Sequence, residues 1–434
     1  MQIYNVYKQK TKIFIKKKIQ ISYIKNDVYS NYLCLKMKSK KILYIWKSEY
    51  PWEIRIKKIT QSLVIAGFDV YVLAKYNAEE KDSEIVDNGV KVVRFGRNLK
   101  WTLLPVPFNP VWKQAIKMAI KTLNPELIIV REIMLAEMTA KLGHKYKIPV
   151  IMDMAENYPA AMREWKKYNS SFFKKFLVHK LKLPDITEKR SVKLCDGIMV
   201  VCNEQIERLH KTYNYNKYNI SVIENTPEND FLTNAIYSEV NLKYKLENNL
   251  PIIFGHHGYL SMEKSIKTFL FAFEKLSDRY NMKLIICGGG ENELDYKEMI
   301  KKFKSKNNII FTGKYNNNDL PKIISDIDIG IIPYQINDFN NYTIHNKVFT
   351  YMASGKPVLT NISTPYIRLF NETGVGLALD FTTIENATKS IETMIHSDTI
   401  AMSKNGKKSV SEKYNWENDA KKMIKFIQSY CSSI

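Results

Sequence analysis

Short apolar runs alternate with helix-length amphipathic segments along nearly the whole chain, and this alternation limits the fold more than any other feature. Residues 41–46 form a short apolar run. Ile56, Ile59, Leu63 and Ala66 then recur at helical spacing, Gly67 supplies a stop, and 70–74 is apolar again. Further runs follow at 127–130, 149–152, 197–202 and 220–223. Strands separated by helices need crossover connections, which implies a parallel sheet. The pattern loosens through 224–250, rich in Asn, Glu and Pro. A second series then begins at 252–254 and continues through 283–287, 308–312, 327–334, 357–361 and 376–380. Two helices, roughly 398–413 and 416–430, close it.

The 434 residues therefore divide into five expected parts. These are a basic extension over 1–40, a doubly wound α/β domain over 41–225, a linker over 226–250, a second such domain over 251–410, and a C-terminal helical piece over 411–434 that packs back on the first domain. Two doubly wound domains in succession place a ligand crevice between their strand ends.

The net charge is +22, and its position matters more than its size. Residues 1–40 hold ten lysines and one acid, Asp27, so this arm carries nine of the 22 units. Two readings of the arm stand. It is a polybasic segment that touches anionic lipid, or it is a dispensable extension, with Met37 standing just before the first strand. It lacks the apolar core and cleavage site of a signal peptide. Nucleic-acid binding has no support beyond charge, because the interleaved aromatic and basic pattern of a single-strand groove is missing. Five cysteines (Cys34, Cys195, Cys202, Cys287 and Cys431) form no CxxC pair and leave an odd one, which points to a reducing compartment. No apolar stretch approaches the roughly 18 residues of a membrane-spanning helix, so the expected location is the cytoplasm, with peripheral contact at the inner membrane surface.

Several common chemistries lack their motif. There is no GxGxxG after the first strand, no P-loop, no HExxH, no His/Cys cluster and no GxSxG elbow. Asp326 and Asp328 resemble a metal-binding pair, but the first reads as a helix end and the second as the start of a buried strand. Gly288, Gly289 and Gly290 follow an apolar run and precede a helix, a turn through which backbone can approach an anion. Gly258 and Tyr259 form another turn, with Lys264 placed to meet a diphosphate. The stretch 345–358 reads as a short helix, a Gly355 stop and a Pro-led strand, with His345, Asn346 and Lys347 facing the crevice. His256 and His257 sit at a strand end, where alternation lets one of them reach a ligand. Tyr334 ends another strand. In the first domain Glu156 is a candidate for orienting an acceptor hydroxyl or acting as base. Arg55 and Arg131 read as solvated surface, or else as contacts for an anionic acceptor, and Trp416 as an interdomain packing residue.

The segments FGHHGYLSMEK, LIICGGGENEL, NIIFTG, DIDIGIIPY and HNKVFTYMASGKPVL stand in an order and spacing that resemble glycosyltransferase family 4. In the first half, KILYIW, YPWEIRIKKITQSLVIAGFDVYVLA, PVIMDMAENYP and SVIENTP resemble the same family. The likeness spans roughly 41–430. It implies the GT-B fold, two Rossmann-like doubly wound domains facing a central cleft. It also implies a retaining, metal-independent transferase with no cofactor, which takes a sugar from a nucleotide diphosphate sugar to a glycan or lipid-linked acceptor in surface polysaccharide synthesis. By resemblance Lys264 binds the donor diphosphate, and the start of the helix at His345, Asn346 and Lys347 lies against the same phosphates. Gly258, Tyr259, Gly288, Gly289, Tyr334 and Thr350 complete the expected donor site, with Glu156 and His345 as the expected catalytic residues.

The chain departs from the family pattern at four places. Tyr259 replaces an arginine, Tyr342 and Thr350 replace the two glutamates of an E-x7-E pair, and Ala155 replaces a histidine while Asp153 and Glu156 remain. Other residues have then taken over the donor contacts, or the donor differs, or the chain keeps the fold as a catalytically silent binding partner of a glycosylation complex.

Overall fold

The computed structural model describes residues 39–431 except 51–52, 77–81, 87–88, 96–108, 261–263 and 291. Residues 1–38, most of the basic arm with Cys34 and Met37, therefore lie outside the described residues. The first domain is built on eight strands: β1 (Lys41–Ile45), β2 (Asp69–Lys75), β3 (Ser83–Val86), β4 (Val90–Phe95), β5 (Leu127–Arg131), β6 (Val150–Met154), β7 (Gly197–Val200) and β8 (Ile220–Val222). Their order is β3-β4-β2-β1-β5-β6-β7-β8, parallel except where β3 pairs antiparallel with β4. The second domain holds β9 (Ile252–His257), β10 (Met282–Cys287), β11 (Ile309–Gly313), β12 (Ile329–Ile332), β13 (Val358–Asn361) and β14 (Gly376–Leu379). Their order is β11-β10-β9-β12-β13-β14, parallel throughout.

Helices cover both faces of each sheet, so the inner strands are buried on both sides and read as continuous apolar runs. β5 (LIIVR), β6 (VIMDM) and β12 (IGII) are buried at every residue. The hairpin β3–β4 is the element that the sequence pattern does not announce. β3 is a four-residue edge strand with alternate residues exposed, and such a strand carries almost no apolar signal.

In each sheet the strand order reverses beside the first strand, at β1 between β2 and β5 and at β9 between β10 and β12. The crevice outside the carboxyl ends of these strands is where a doubly wound sheet binds its ligand.

Residues 226–250, expected as a linker, carry two short helices, Asn229–Asn234 and Leu242–Glu247. Val240 and Leu242 are buried in the core of the second domain. The chain crosses back near residue 415. The helix Trp416–Cys431 then buries Trp416, Met423, Ile427 and Cys431 against Ile42, Tyr44 and Ile59 of the first domain. At the crossing, the Trp416 backbone N–H donates to Pro227 O (2.9 Å) and its indole N–H to Ser62 Oγ (2.9 Å). Lys58 Nζ donates to Thr226 O (2.7 Å) and lies 4.4 Å from the Trp416 ring centroid. The Thr226 hydroxyl donates to the buried Asp419 (2.6 Å). Cys195, Cys202, Cys287 and Cys431 are unpaired and buried. Among the described residues no helix is long and apolar enough to cross a membrane.

Glu224 sits at this crossing, beside Arg368 of the second domain (3.9 Å). Burial, and after it the nearby Asp419 carboxylate, pushes its carboxyl up from 4.5 to about 7. A raised carboxyl pKa means that the folded state holds the proton more tightly than the unfolded one. Stability from this group is therefore present at low pH and is lost as pH rises from 4.5 through about 7. Glu224→Gln should flatten the fall in the urea midpoint over that window; a fall of unchanged steepness would show that another group causes it.

Candidate active site

The carboxyl end of β9 sets out the second-domain half of the site. His256 turns its Nδ1–H to Ile331 O of β12 (3.1 Å), which leaves Nε2 as a bare acceptor, buried and without a hydrogen-bond partner. His257 points to the other side, as strand alternation requires. The Tyr315 O–H donates to its Nδ1 (3.1 Å), its Nε2–H donates to Thr350 Oγ1 (3.0 Å), and the Thr350 O–H donates to Lys347 O (2.9 Å). Thr350, expected among the donor contacts, thus has its hydroxyl occupied within the protein by a histidine and a helix carbonyl.

Gly258 follows at φ +110°, in the left-handed region where a side chain is disfavoured. A Cβ there would come within 3.2 Å of Lys347 Nζ, so the ammonium rests against this backbone. Lys347 is buried at the start of the helix Lys347–Ala353. Its ammonium donates to the Tyr334 hydroxyl (2.5 Å) and lies 4.7 Å from that ring's centroid. His345 packs on the same tyrosine at 4.4 Å between ring centroids, with its Nδ1 2.9 Å from the Tyr366 hydroxyl. Burial first, and then the Lys347 charge, lowers three imidazoles. His257 and His345 fall to about 3, and His256 lies well below its usual range. Among the described residues of the pocket, the Lys347 ammonium therefore stands beside three histidines that are uncharged at neutral pH.

Gly288 has a different reason to be glycine. At φ +124° its Cβ would lie 2.1 Å from Gly258 O, so two turns abut here, with the Gly258 N–H donating to Cys287 O (2.9 Å). The adjoining Gly289 O accepts from the Leu260 N–H (3.2 Å). The glycine run expected to cradle phosphate is held by turn packing at these positions. Tyr259 and Asn346 are exposed at the rim. Lys264 begins the helix Lys264–Leu276, and its side chain lies outside the described residues. Asp326 and Asp328 do not converge on a metal position: Asp326 ends the helix Leu320–Ser325, and Asp328 accepts from Lys245 Nζ (2.6 Å) and the Ile253 N–H (2.8 Å).

On the first-domain side, Asp153, the penultimate residue of β6, has no exposure at all. Its carboxylate accepts from Arg55 (2.8 and 3.0 Å), Arg131 (2.9 Å) and the Tyr44 hydroxyl (2.7 Å). Arg55 and Arg131, expected on the solvated surface, are both buried. The signal for Arg55 lies in its place four residues before Ile59, on the helix face that packs inward. Arg55 also donates to Ile223 O (2.8 Å), beyond the last strand, and Arg131 to Glu53 Oε1 (3.1 Å). Despite burial, the two guanidinium groups hold the Asp153 carboxyl down at about 2.

Glu156 is half-buried in the loop that follows β6. The next residue, Asn157, donates to Asp338 O (3.0 Å) of the second domain. Tyr342, in the place of the first family glutamate, lies at this domain contact. Its carbonyl accepts from Gln205 (3.1 Å), and its ring lies 5.7 Å from the Arg208 guanidinium. The structure thus gathers Gly258, Tyr334, His345, Lys347 and the His256 acceptor on one side of the cleft, with Glu156 at the opposite rim.

Residues 53–226 match glycosyltransferase family 4, and residues 241–409 match glycosyl transferases group 1. The chain belongs to this family. Solved structures show the same GT-B arrangement. Sucrose-phosphate synthase of Thermosynechococcus elongatus superposes with a TM-score of 0.69 at 15% identity, over 91% of this chain and 100% of that one. Anabaena HepE in complex with UDP-glucose gives 0.63 at 14% identity, over 90% and 99%. In sequence, an uncharacterized glycosyltransferase of Methanocaldococcus jannaschii, MJ1607, is 23% identical over 169 residues, which is 38% of this chain and 42% of that relative. The match thus spans less than half of MJ1607's length. In GT-B terms, the Lys347 pocket lies at the switch point of the second sheet and the Asp153 cluster at the carboxyl edge of the first.

Removing one partner of a buried ion cluster strands the others. Asp153→Asn should cost about 3–5 kcal/mol in denaturant unfolding, because both guanidinium groups stay buried. Since the folded-state pKa of about 2 lies below the ordinary 3.8, the Asp153 contribution is complete above that value and is lost as pH falls toward 2. The wild type should therefore lose stability over that acid window and the variant should not.

Proposed function

We propose that this chain transfers a sugar from a nucleoside diphosphate sugar to a glycan or lipid-linked acceptor, with retention at the anomeric carbon and without a metal or cofactor. The setting is surface polysaccharide synthesis on the cytoplasmic side of the membrane. The observation that carries this reading is the buried Lys347 ammonium, seated against the Gly258 backbone at the switch point of the second sheet among neutral histidines. A departing nucleoside diphosphate gathers negative charge as the glycosidic bond breaks. A fixed cation in a water-poor pocket stabilises that charge more in the transition state than in the ground state. In this reading Lys264 adds a second cation, the bare His256 Nε2 accepts from a donor hydroxyl, His345 and Tyr334 line the sugar position, and Glu156 orients the acceptor hydroxyl.

A second reading, a protein of this fold that binds a donor or partner without transfer, is favoured by one observation. The two positions of the family's glutamate pair hold Tyr342, at the domain contact, and Thr350, bonded to His257.

Calorimetric titration with a panel of nucleoside diphosphates separates these outcomes. At least one should bind, and Lys347→Ala should weaken it by about 1.5–3 kcal/mol, the range of a charged hydrogen bond. No binding to any of them by the folded protein would overturn the donor-site assignment. Tight nucleotide binding with no cleavage of any sugar donor would favour the second reading.

A further inference from the structure

Between Glu164 and Asp185 the chain reads WKKYNSSFFKKFLVHKLKLP, with six lysines and no acid. The helix Phe172–Lys175 runs directly into the π-helical turn Phe176–Lys180. Ser171 caps it, its hydroxyl accepting the Lys174 N–H (3.3 Å). Val178 alone in 171–182 is fully buried, and it anchors the segment to the core of the first domain. The larger side chains face outward: Phe172 is 87% exposed, Phe173 68%, Leu181 51% and Phe176 42%. Lys174, Lys175, Lys180 and Lys182 are exposed among them.

Contiguous exposed aromatic surface rimmed by charge marks a docking face. The composition identifies its partner. Lysine is depleted in the cores of protein–protein interfaces, and a face that exposes Lys174, Lys175, Lys180 and Lys182, with no acid in 171–182, suits a surface of uniform negative charge. Long lysine stems let the ammonium groups reach lipid headgroups while the phenyl rings enter the acyl boundary, the pattern of interfacial amphipathic segments. We infer that this face of the first domain docks on an anionic lipid bilayer. Such docking goes beyond the transfer chemistry and requires no donor.

The position suits a lipid-linked acceptor. The face continues from the helix Tyr158–Glu164, which borders the cleft. Glu164 accepts from Gln335 of the second domain (3.1 Å), and Asn157, just before the helix, bonds Asp338 O. A bilayer against this face therefore lies beside the acceptor rim.

The test is sedimentation of the full chain with phosphatidylcholine vesicles, made with and without phosphatidylglycerol. Wild type should bind the phosphatidylglycerol vesicles, and bind less as salt rises. F172S/F173S and K174E/K175E should each weaken partitioning on the order of tenfold or more, with melting temperatures unchanged because these side chains are exposed. K407E/K408E, an equal charge change on the second domain, should leave binding near wild type. Three results would overturn the inference: no binding by the folded wild type, patch variants that bind like wild type (so that the basic arm carries all the attraction), or self-association lost in F172S/F173S with vesicle binding intact.

Discussion

The first domain is organised around one carboxylate. Asp153 is withdrawn from water, and an isolated charge in that position is several kcal/mol too costly to persist. It is tolerated because the ends of β1, β5 and β6 and the start of the helix Ile54–Ile65 bring Tyr44, Arg131 and Arg55 to its two oxygens. Each partner comes from a different element, so the carboxyl edge of the sheet has little freedom to rearrange. Arg55 also reaches the carbonyl of Ile223, where the chain leaves the first sheet. The first domain's floor of the cleft and the exit toward the second domain therefore share one electrostatic knot.

The second domain uses charge in the opposite manner. Its pocket keeps a lysine beneath histidines that burial and that lysine together hold neutral. Among the described residues the positive charge there sits on the Lys347 ammonium, and the imidazoles supply acceptors and packing surface. Thr350 fits this arrangement: its short hydroxyl bridges His257 and the helix backbone, where a glutamate would bring a competing negative charge.

Most of the architecture was legible from periodicity, because inner parallel strands must be apolar on both faces and so announce themselves as runs. The β3–β4 hairpin escaped that signal, since an exposed edge strand has no such requirement. The cluster of Lys347, Gly258, Tyr334 and His345 could be assembled from the order of the motifs along the chain. Its internal wiring could not: which way each histidine faces depends on partners such as Ile331 and Tyr315, far away in sequence. Arg55 and Arg131 were misread because charged residues are rarely buried unless paired, and their partner Asp153 lies 98 and 22 residues away from them. The face around Phe172 was not distinguished either. In a stretch that short, an outward phenylalanine and an inward one leave the same mark on the sequence.

The second domain is not a bead at the end of a tether, because the chain enters it near Pro227 and leaves it at Trp416, and the two crossings are hydrogen-bonded to each other. A body fastened at two adjacent points keeps one easy movement, rotation about the line through them. Sliding and twisting would have to tear the Trp416 seat out of the first domain. Rotation about that line opens the cleft, and it must also part the Asn157–Asp338 and Glu164–Gln335 bonds across the rim.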